Sequence, residues 1–561
     1  MCRFGRVSGY ADTDYDVWIW KGIPYAKAPV GSLRWKAPQD PDTWTGTREA
    51  TDNCDVCIQQ VYNQYWMSSN AFVGSEDCLY LDIYRPKTSD TNLPVFVWIH
   101  GGSNNFGSAR QYNGSALARR GNMIVVIVQY RLNAMGFLTH PSLRQSGTDA
   151  DKSGNYGTLD QIKALTWVKN NIASFGGDPN KVVVGGQSAG AHNTMNLIIS
   201  PLAQGLFRGA LVMSAAMPLN SINSADGRTV NTIKKLIIND GLATDDSSAA
   251  TYLSNMTNVQ IETYLRSKTA SQILQARIAG DGGSMGTHAA IRDGVVIPDL
   301  TWNSAISAGQ YSKVPIILGS TQYEIKDFLP LYGYVMKAQG VALPTSSYTW
   351  FDLYKVIGVG GSLSLDAVMP TALDKNIYCD IADILSRQWK LTGVDKLARN
   401  FKSNDSTNKI WAYRFDWKGG GDPALSDFAL IFGAAHAMEI PFFFGYPTDA
   451  WNYSFTSANK TGREALQLAM MDYLIAFVKN LNPNPTGSSL PTWSEWDNAV
   501  GANKFISFDA NLNNYVIQML ATEETVDDLN ARKAAISTTY APPYNIYANY
   551  WIAAFSTIFG E

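Results

Sequence analysis

The stretch KVVVGGQSAGAHNTMNLIIS, from Lys181 to Ser200, carries a short apolar run into Gly186-Gln187-Ser188-Ala189-Gly190 and then into a helix-like apolar pattern. The pentapeptide fits G-x-S-x-G, and its place between a strand and a helix marks Ser188 as a candidate nucleophile. Glycines on both flanks let the chain turn where a side chain would collide with neighbouring backbone. A plain strand-to-helix turn is the competing reading. A serine hydroxyl is a poor nucleophile until a base takes its proton. The chemistry therefore also demands an imidazole, an acid to hold it, and donors for the oxyanion of a tetrahedral intermediate.

Five histidines are available: His100, His140, His192, His288 and His436. Where a serine sits on such an elbow the chain order is nucleophile, acid, histidine, which leaves His288 and His436. His288 lies in DGGSMGTHAAIRDG, a glycine-rich, surface-like segment without a strong apolar frame. His436 lies in ALIFGAAHAMEIPFFFG, between two apolar runs, and its small neighbours leave room for the ring to reach a serine in a cleft. His436 is the expected base. His192 is expected to pack in the helix behind the elbow, and His140 to be an ordinary loop residue. For the oxyanion, VWIHGGSNNFG follows an apolar run, and backbone N–H groups in such a loop can converge on one oxygen. A flexible turn would have the same composition.

Those residues need rigid elements behind them. Continuous apolar runs recur at LPVFVWIH (93–100), NMIVVIVQY (122–130), KVVVGG (181–186), GALVMSA (209–215) and VPIILGS (314–320). Val/Ile runs that do not alternate predict strands buried on both faces, as in a mainly parallel sheet. Between two of them, Leu159, Ile162, Leu165, Trp167, Val168 and Ile172 trace a stripe at helical spacing that Gly176 and Gly177 end. Strand, helix, strand in this rhythm is a βαβ crossover. The predicted architecture is α/β, a large, mostly parallel central sheet with helices on both faces. No linker, repeat or low-complexity tract divides the chain, so residues 1–561 are expected to form one domain.

Hydrophobic residues make up 45% and charged residues 17%, ordinary for a globular protein with a large core. A formal charge of -3 gives no electrostatic reason to expect nucleic acid or an anionic membrane as a partner. No run of about 18 apolar residues exists, so no stable membrane insertion is expected. IYANYWIAAFSTIFG (546–560) reads as a docked terminal helix. The N-terminus lacks a signal-like apolar core, which fits a cytoplasmic protein or one whose leader has been removed. Cys54 and Cys57 have Cys-x-x-Cys spacing but no second pair or nearby histidines, which argues against zinc. Sequons such as those at Asn113 and Asn452 are expected by chance in a chain rich in Asn, Ser and Thr.

Taken together, the chain resembles the type-B carboxylesterases, which include cholinesterases, fungal lipases and bacterial esterases. The likeness rests on GIPYAKAPVGSLRWKAP (22–38), SEDCLYLDIYRP (75–86), FGGDPNKVVVGGQSAGA (175–191) and GAAHAMEIPFFFG (433–445), and it runs over nearly the whole length. It implies an α/β-hydrolase fold with inserted capping helices. Ser188 would be the nucleophile, Glu324 in ILGSTQYEIKDF the triad acid, and His436 the base. The oxyanion donors would be the N–H groups of Gly102, Ser103 and Ala189. Cys57 and Cys78 align with the cysteines that close the family's first disulfide loop, with Cys54 as a rival partner. Arg34 with Glu76, and Arg131 with Asp178, fall where the family places structural salt bridges. Three positions depart from the pattern. Gln187 stands where Glu is usual and is expected to point away from the chemistry. Ser103 replaces a glycine and narrows the backbone angles of the donor loop. Asn104 and Asn105 replace aromatics, which would make a pocket wall more polar. The aromatics Tyr62, Tyr65 and Trp66 do not reproduce a choline-binding pattern.

The expected activity is hydrolysis of small-molecule carboxylic esters through an acyl-enzyme, with no metal or organic cofactor needed. A lipase acting on longer-chain acylglycerols is one alternative, and a catalytically silent adhesion or binding module is another. That module would have lost a triad member, and none is missing. Between Glu324 and Asp327 as the acid, Glu324 is preferred. Asp327 follows Lys326, and adjacent opposite charges usually mark a solvated surface. A Cys57–Cys78 disulfide would favour a secreted or periplasmic protein. The partners of Cys2, Cys54 and Cys379, the oligomeric state and the natural ester stay open.

Overall fold

The computed structural model describes residues 2–62, 68–216, 218–282, 288–331, 348–357, 361–449 and 452–556. Tyr65 and Trp66, and the side chain of Tyr62, lie outside the described residues. The described residues cluster into two compact units.

The first unit takes in the described residues within 2–62, 68–210 and 219–313. Its sheet strands are β1 (Tyr10–Asp12), β2 (Val17–Pro24), β3 (Tyr80–Pro86), β4 (Leu93–Ile99), β5 (Ile124–Val128) and β6 (Gly177–Gln187), in the order β1-β2-β3-β5-β4-β6. β4 runs parallel to both β5 and β6, as the unalternating Val/Ile runs require, and all five residues of β5 are buried. The N-terminal strands β1, β2 and β3 pair antiparallel, so the sheet is mixed there and parallel around β4. Helix α1 (Tyr156–Asn171) is the predicted crossover. It buries Leu159, Leu165, Trp167 and Val168, and a 3-10 turn ends it at Gly176, with φ 84. Four further helices, Ile222–Asn239, Asp246–Ser254, Asn258–Ser267 and Ala270–Gly280, form the inserted helical segment. Side chains of Ser221, Asp245, Thr257 and Thr269 cap their N-termini.

Two side-chain pairings test the expectations here. Arg34 binds Glu76 in a two-point fork at 2.6 and 2.5 Å, as the resemblance implies. Arg131 does not pair with Asp178. It forks onto Asp160 of α1 at 2.8 Å for each bond, and both groups are buried. Asp178 sits nearer solvent, on the strand, and pairs with Lys181 at 3.2 Å. A buried guanidinium needs a carboxylate buried with it, and α1 supplies one where β6 does not. Cys57 and Cys78 form a disulfide, while Cys2, Cys54 and Cys379 are free.

The second unit takes in the described residues within 211–218 and 314–556. β7 (Gly209–Met213) enters it from Leu211 onward, followed by β8 (Ile316–Thr321), β9 (Ile410–Phe415), β10 (Phe505–Ala510) and β11 (Tyr515–Leu520), in that spatial order. β8, β9 and β10 are parallel, and β11 closes antiparallel on β10. After α2 (Ala189–Ile199) of the first unit, helix α3 (Ala372–Lys390) runs on through a π turn, Leu391–Asp395, into α4 (Lys396–Asn404). The π turn brings Gly393 so close to the chain after β7 that a Cβ there would lie 1.6 Å from Ala215 O. Two terminal helices, α5 (Val526–Thr539) and α6 (Tyr544–Ser556), end the unit, and Tyr547, Ala548 and Trp551 of α6 are buried, as a docked helix requires.

Candidate active site

In the first unit β6 ends at Gln187 and α2 (Ala189–Ile199) begins at Ala189, leaving Ser188 alone at the bend with φ 57 and ψ -124. That backbone is costly for a residue with a side chain and persists because its surroundings force it. The glycines are a matter of space as well as angle. A Cβ on Gly186 would lie 2.4 Å from Gly190 O, and one on Gly190 would lie 2.0 Å from Ile99 O at the end of β4. Ser188 O accepts from the N–H groups of Ala191 and His192 at 2.9 and 3.0 Å, and the His192 ring Nδ1 lies 2.6 Å from it. His192 thus packs in the helix behind the elbow, as expected. Ala189, the first residue of α2, has an N–H with no acceptor inside its own helix.

The donor loop follows β4. A Cβ on Gly101 would sit 3.1 Å from the Ser188 Cβ, so the loop starts against the nucleophile. Gly102, at φ 105, admits only glycine, because a Cβ would lie 2.1 Å from Phe106 O. Ser103 and Asn104 follow at φ 56 and 55, the left-handed region that costs a side-chain-bearing residue about 1–2 kcal/mol. The N–H groups of Asn105 and Phe106 both close onto Gly102 O, at 2.8 and 3.1 Å. His100 lies beneath the loop, with Nδ1 2.8 Å from Gly101 O and its ring stacked on Tyr130. Burial pushes its pKa down to about 4, so it is neutral at pH 7.

Several expectations change here. Asn104 does not line a pocket wall: it is 1% exposed, and its Oδ1 accepts from Tyr130 OH and Asn193 Nδ2 at 3.1 and 2.9 Å. Gln187 is buried, and its Oε1 would lie 3.2 Å from a Cβ on Gly101, so its amide abuts the start of the donor loop. His140 is buried as well, capping the turn Pro141–Arg144. His288 is not a surface residue. It is 5% exposed and bonded to the donor loop, whose residues lie more than 180 positions upstream.

In the second unit β8 ends at Thr321, and Glu324 opens a short 3-10 turn, Glu324–Asp327. Glu324 is 0% exposed. Its Oε1 accepts from Thr321 N at 2.7 Å and Ser214 Oγ at 2.6 Å, and its Oε2 accepts from His436 Nδ1 at 2.5 Å. A bridge between Tyr323 and Ala435 sets the two segments side by side. The His436 ring lies against Trp389 and Phe328, with centroids at 4.9 and 5.2 Å. Burial works against the imidazolium, but the acidic groups beside it, Glu324 foremost, outweigh it, and the His436 pKa is raised. With Nδ1–H given to Glu324, Nε2 is left as the proton acceptor.

Lys326, beside Asp327, is not a solvated surface residue, although Glu324 is the carboxylate on His436. Lys326 is 2% exposed; its Nζ donates to Leu430 O at 2.6 Å and lies 4.1 Å over the Tyr323 ring. Burial lowers its pKa to about 8 and raises that of Asp327 to about 6. Two groups in this cluster have no counterpart in the sequence reading. Glu439 is 0% exposed, lies 3.5 Å from both Ser214 Oγ and Tyr413 OH, and is raised to about 8 by burial and by the Glu324 charge. Its signal was legible: an acid three residues past the histidine, alone in the apolar run AMEIPFFF. Ser214, in VMSAA, gave none beyond closing an apolar run.

A family model described as "Carboxylesterase family" matches residues 2–525. A para-nitrobenzyl esterase of Bacillus subtilis (strain 168) is 31% identical over 497 residues, 88% of this chain and 92% of its own length. A cocaine esterase of Homo sapiens is 31% identical over 507 residues, 85% and 81% of the two chains. Among solved structures, a PNB esterase superposes with a TM-score of 0.68 at 26% identity, covering 95% of this chain and 98% of that one. A Geobacillus stearothermophilus carboxylesterase gives 0.66 at 27%, with the same coverage.

Proposed function

This chain belongs to the carboxylesterase family, has its α/β-hydrolase fold and hydrolyses carboxylic esters, and we propose that Ser188, His436 and Glu324 do the chemistry as one triad. His436 Nε2 takes the Ser188 proton as Oγ attacks the ester carbonyl. The N–H groups of Gly102, Ser103 and Ala189 hold the oxyanion. His436 returns the proton to the leaving alcohol, and a water, activated the same way, releases the acid from the acyl-enzyme. The observation that carries this reading is the 2.5 Å contact from His436 Nδ1 to the fully buried Glu324, which fixes the tautomer a general base needs. No protein-bound metal or organic cofactor enters these steps. The whole chain acts, on this reading, as one catalytic domain, since the family match runs through residues of both units.

Para-nitrobenzyl and related aryl esters are the first substrates to try, given the Bacillus subtilis relative. The relatives are esterases, which does not favour a lipase, and the presence of Ser188, Glu324 and His436 argues against a silent binding module. No helix among the described residues is long and apolar enough to cross a membrane. The Cys57–Cys78 disulfide supports assignment to an oxidising compartment outside the cytoplasm. An organophosphate or sulfonyl fluoride should place one covalent label on Ser188, and Ser188→Ala should take none and cleave no ester. His436→Ala should lower kcat by about 10³-fold or more, because triad members act as a unit. A label mapped elsewhere, or ester turnover in Ser188→Ala, refutes the assignment.

A further inference from the structure

Three consecutive residues of the donor loop are tied to one residue far along the chain. The N–H of His288 donates to Ser103 O at 3.3 Å, its carbonyl accepts from Asn104 Nδ2 at 2.7 Å, and its Nδ1 bonds Asn105 Oδ1. An amide oxygen only accepts, so Nδ1 carries the proton. The segment that follows His288 is itself fixed. Asn155 bonds both the N–H and the carbonyl of Ile291, at 2.8 and 2.7 Å, and Ile291–Arg292 pairs with Asn220–Ser221. The loop needs such support, because Ser103 and Asn104 hold the left-handed backbone at φ 56 and 55 without being glycines.

We propose that His288 is a positioning residue for the oxyanion hole. Through Asn105 it holds the loop in the conformation that presents the N–H groups of Gly102 and Ser103 to the developing oxyanion. The inference rests on the ester-hydrolase reading above. It gives His288 no contact with substrate and no proton to transfer. Released from Asn105, Ser103 and Asn104 can relax toward negative φ, which turns the peptide groups between them and withdraws a donor. An oxyanion hole acts on the transition state, so the loss falls on kcat and leaves KM alone.

The test uses His288→Leu, Asn105→Ala, their double variant, and His288→Asn, whose amide N–H can stand where Nδ1–H stood. Active sites are counted by complete labelling of Ser188 with an organophosphate, so that rates refer to folded enzyme. His288→Leu should lower kcat per labelled site by about 10- to 100-fold, short of the 10²–10³ for deleting a donor outright. KM should stay within about two-fold, and a trifluoromethyl ketone transition-state analogue should bind more weakly by the same factor as kcat. His288→Asn should restore most of the rate, and the double variant should be no worse than the worse single one. A purely structural role would lower the number of labelled sites and leave kcat per site unchanged. That outcome overturns the inference, as do additive single losses or unchanged analogue binding. If the wild-type enzyme takes no label and cleaves no ester, the ester-hydrolase reading falls and carries this inference with it.

Discussion

Glu324, Asp327 and Glu439 all bear on one imidazole, and they do so unequally. Burial favours the neutral acid, lifting Asp327 to about 6 and Glu439 to about 8, while Glu324, bonded to Nδ1, does most to raise His436. The base works only when His436 is neutral. The acid limb of kcat/KM should therefore lie above the ordinary histidine value near 6.5, with activity rising as pH rises through it. Glu439 keeps its proton up to about 8 and is uncharged across this limb, so Glu439→Gln should leave the limb where it is. A limb that moves to lower pH would mean that Glu439 is ionised there and helps to hold the proton on the base. Stability changes with the opposite sign. Folded Glu439 keeps a proton up to about 8, against an ordinary value of 4.5. Its contribution is complete below 4.5 and is lost as pH rises through 8, a slope that Glu439→Gln should flatten. Glu324→Gln should instead lower kcat about 10⁴-fold, because the amide favours the wrong tautomer.

The elements show what a sequence can and cannot announce. All five unalternating apolar runs are strands, because Val and Ile buried on both faces leave no other pattern. The elbow was legible for a local reason: Gly186 and Gly190 meet backbone within a few residues and at the end of β4. His288 and Lys326 were misread because Gly286-Thr287 before the one and Asp327 after the other suggest a surface, while their partners, Asn104 and Leu430, lie 184 and 104 residues away. Nor could spacing reveal the π turn, which departs from the regular helical repeat so that Gly393 can pack on Ala215 O. That contact gives the prediction at this scale. Gly393→Ala puts a Cβ 1.6 Å from that oxygen, next to the Ser214 that holds Glu324. It should cost about 3 kcal/mol in thermal or urea unfolding, as overpacking does, and lower kcat as well. Gly227→Ala is the control. Gly227 lies inside the helix Ile222–Asn239 with nothing within 4 Å of an added Cβ, so alanine should stabilise by up to about 1 kcal/mol. Equal effects at the two positions would show that helix propensity, not the Ala215 contact, governs Gly393.

At the scale of the whole molecule, the family match stops at residue 525, yet α5 and α6 beyond it are packed into the second unit. Trp551 and Tyr547 of α6 lie on Trp350, with centroids at 4.9 and 5.3 Å, and Trp350 stands edge-on to Tyr378 of α3 at 5.0 Å. Further along α3, Ser386 Oγ accepts from Ile325 N at 3.3 Å, and Trp389 lies on the His436 ring. The helix that backs the base is thus itself backed by the terminal pair. A chain ending at residue 525 should therefore unfold at lower urea and show a lower kcat. Trp551→Ala should reproduce much of the loss, costing about 3–5 kcal/mol, because an aromatic side chain with no exposed surface leaves a cavity. Ile546, on the same helix but 65% exposed, should accept serine with little effect on either measurement. The chain of contacts predicts that stability and kcat fall together in the truncation and in Trp551→Ala. If the shortened chain unfolds at the same urea concentration and turns over esters at the full rate, the terminal helices are a passenger on α3 and do not support the base.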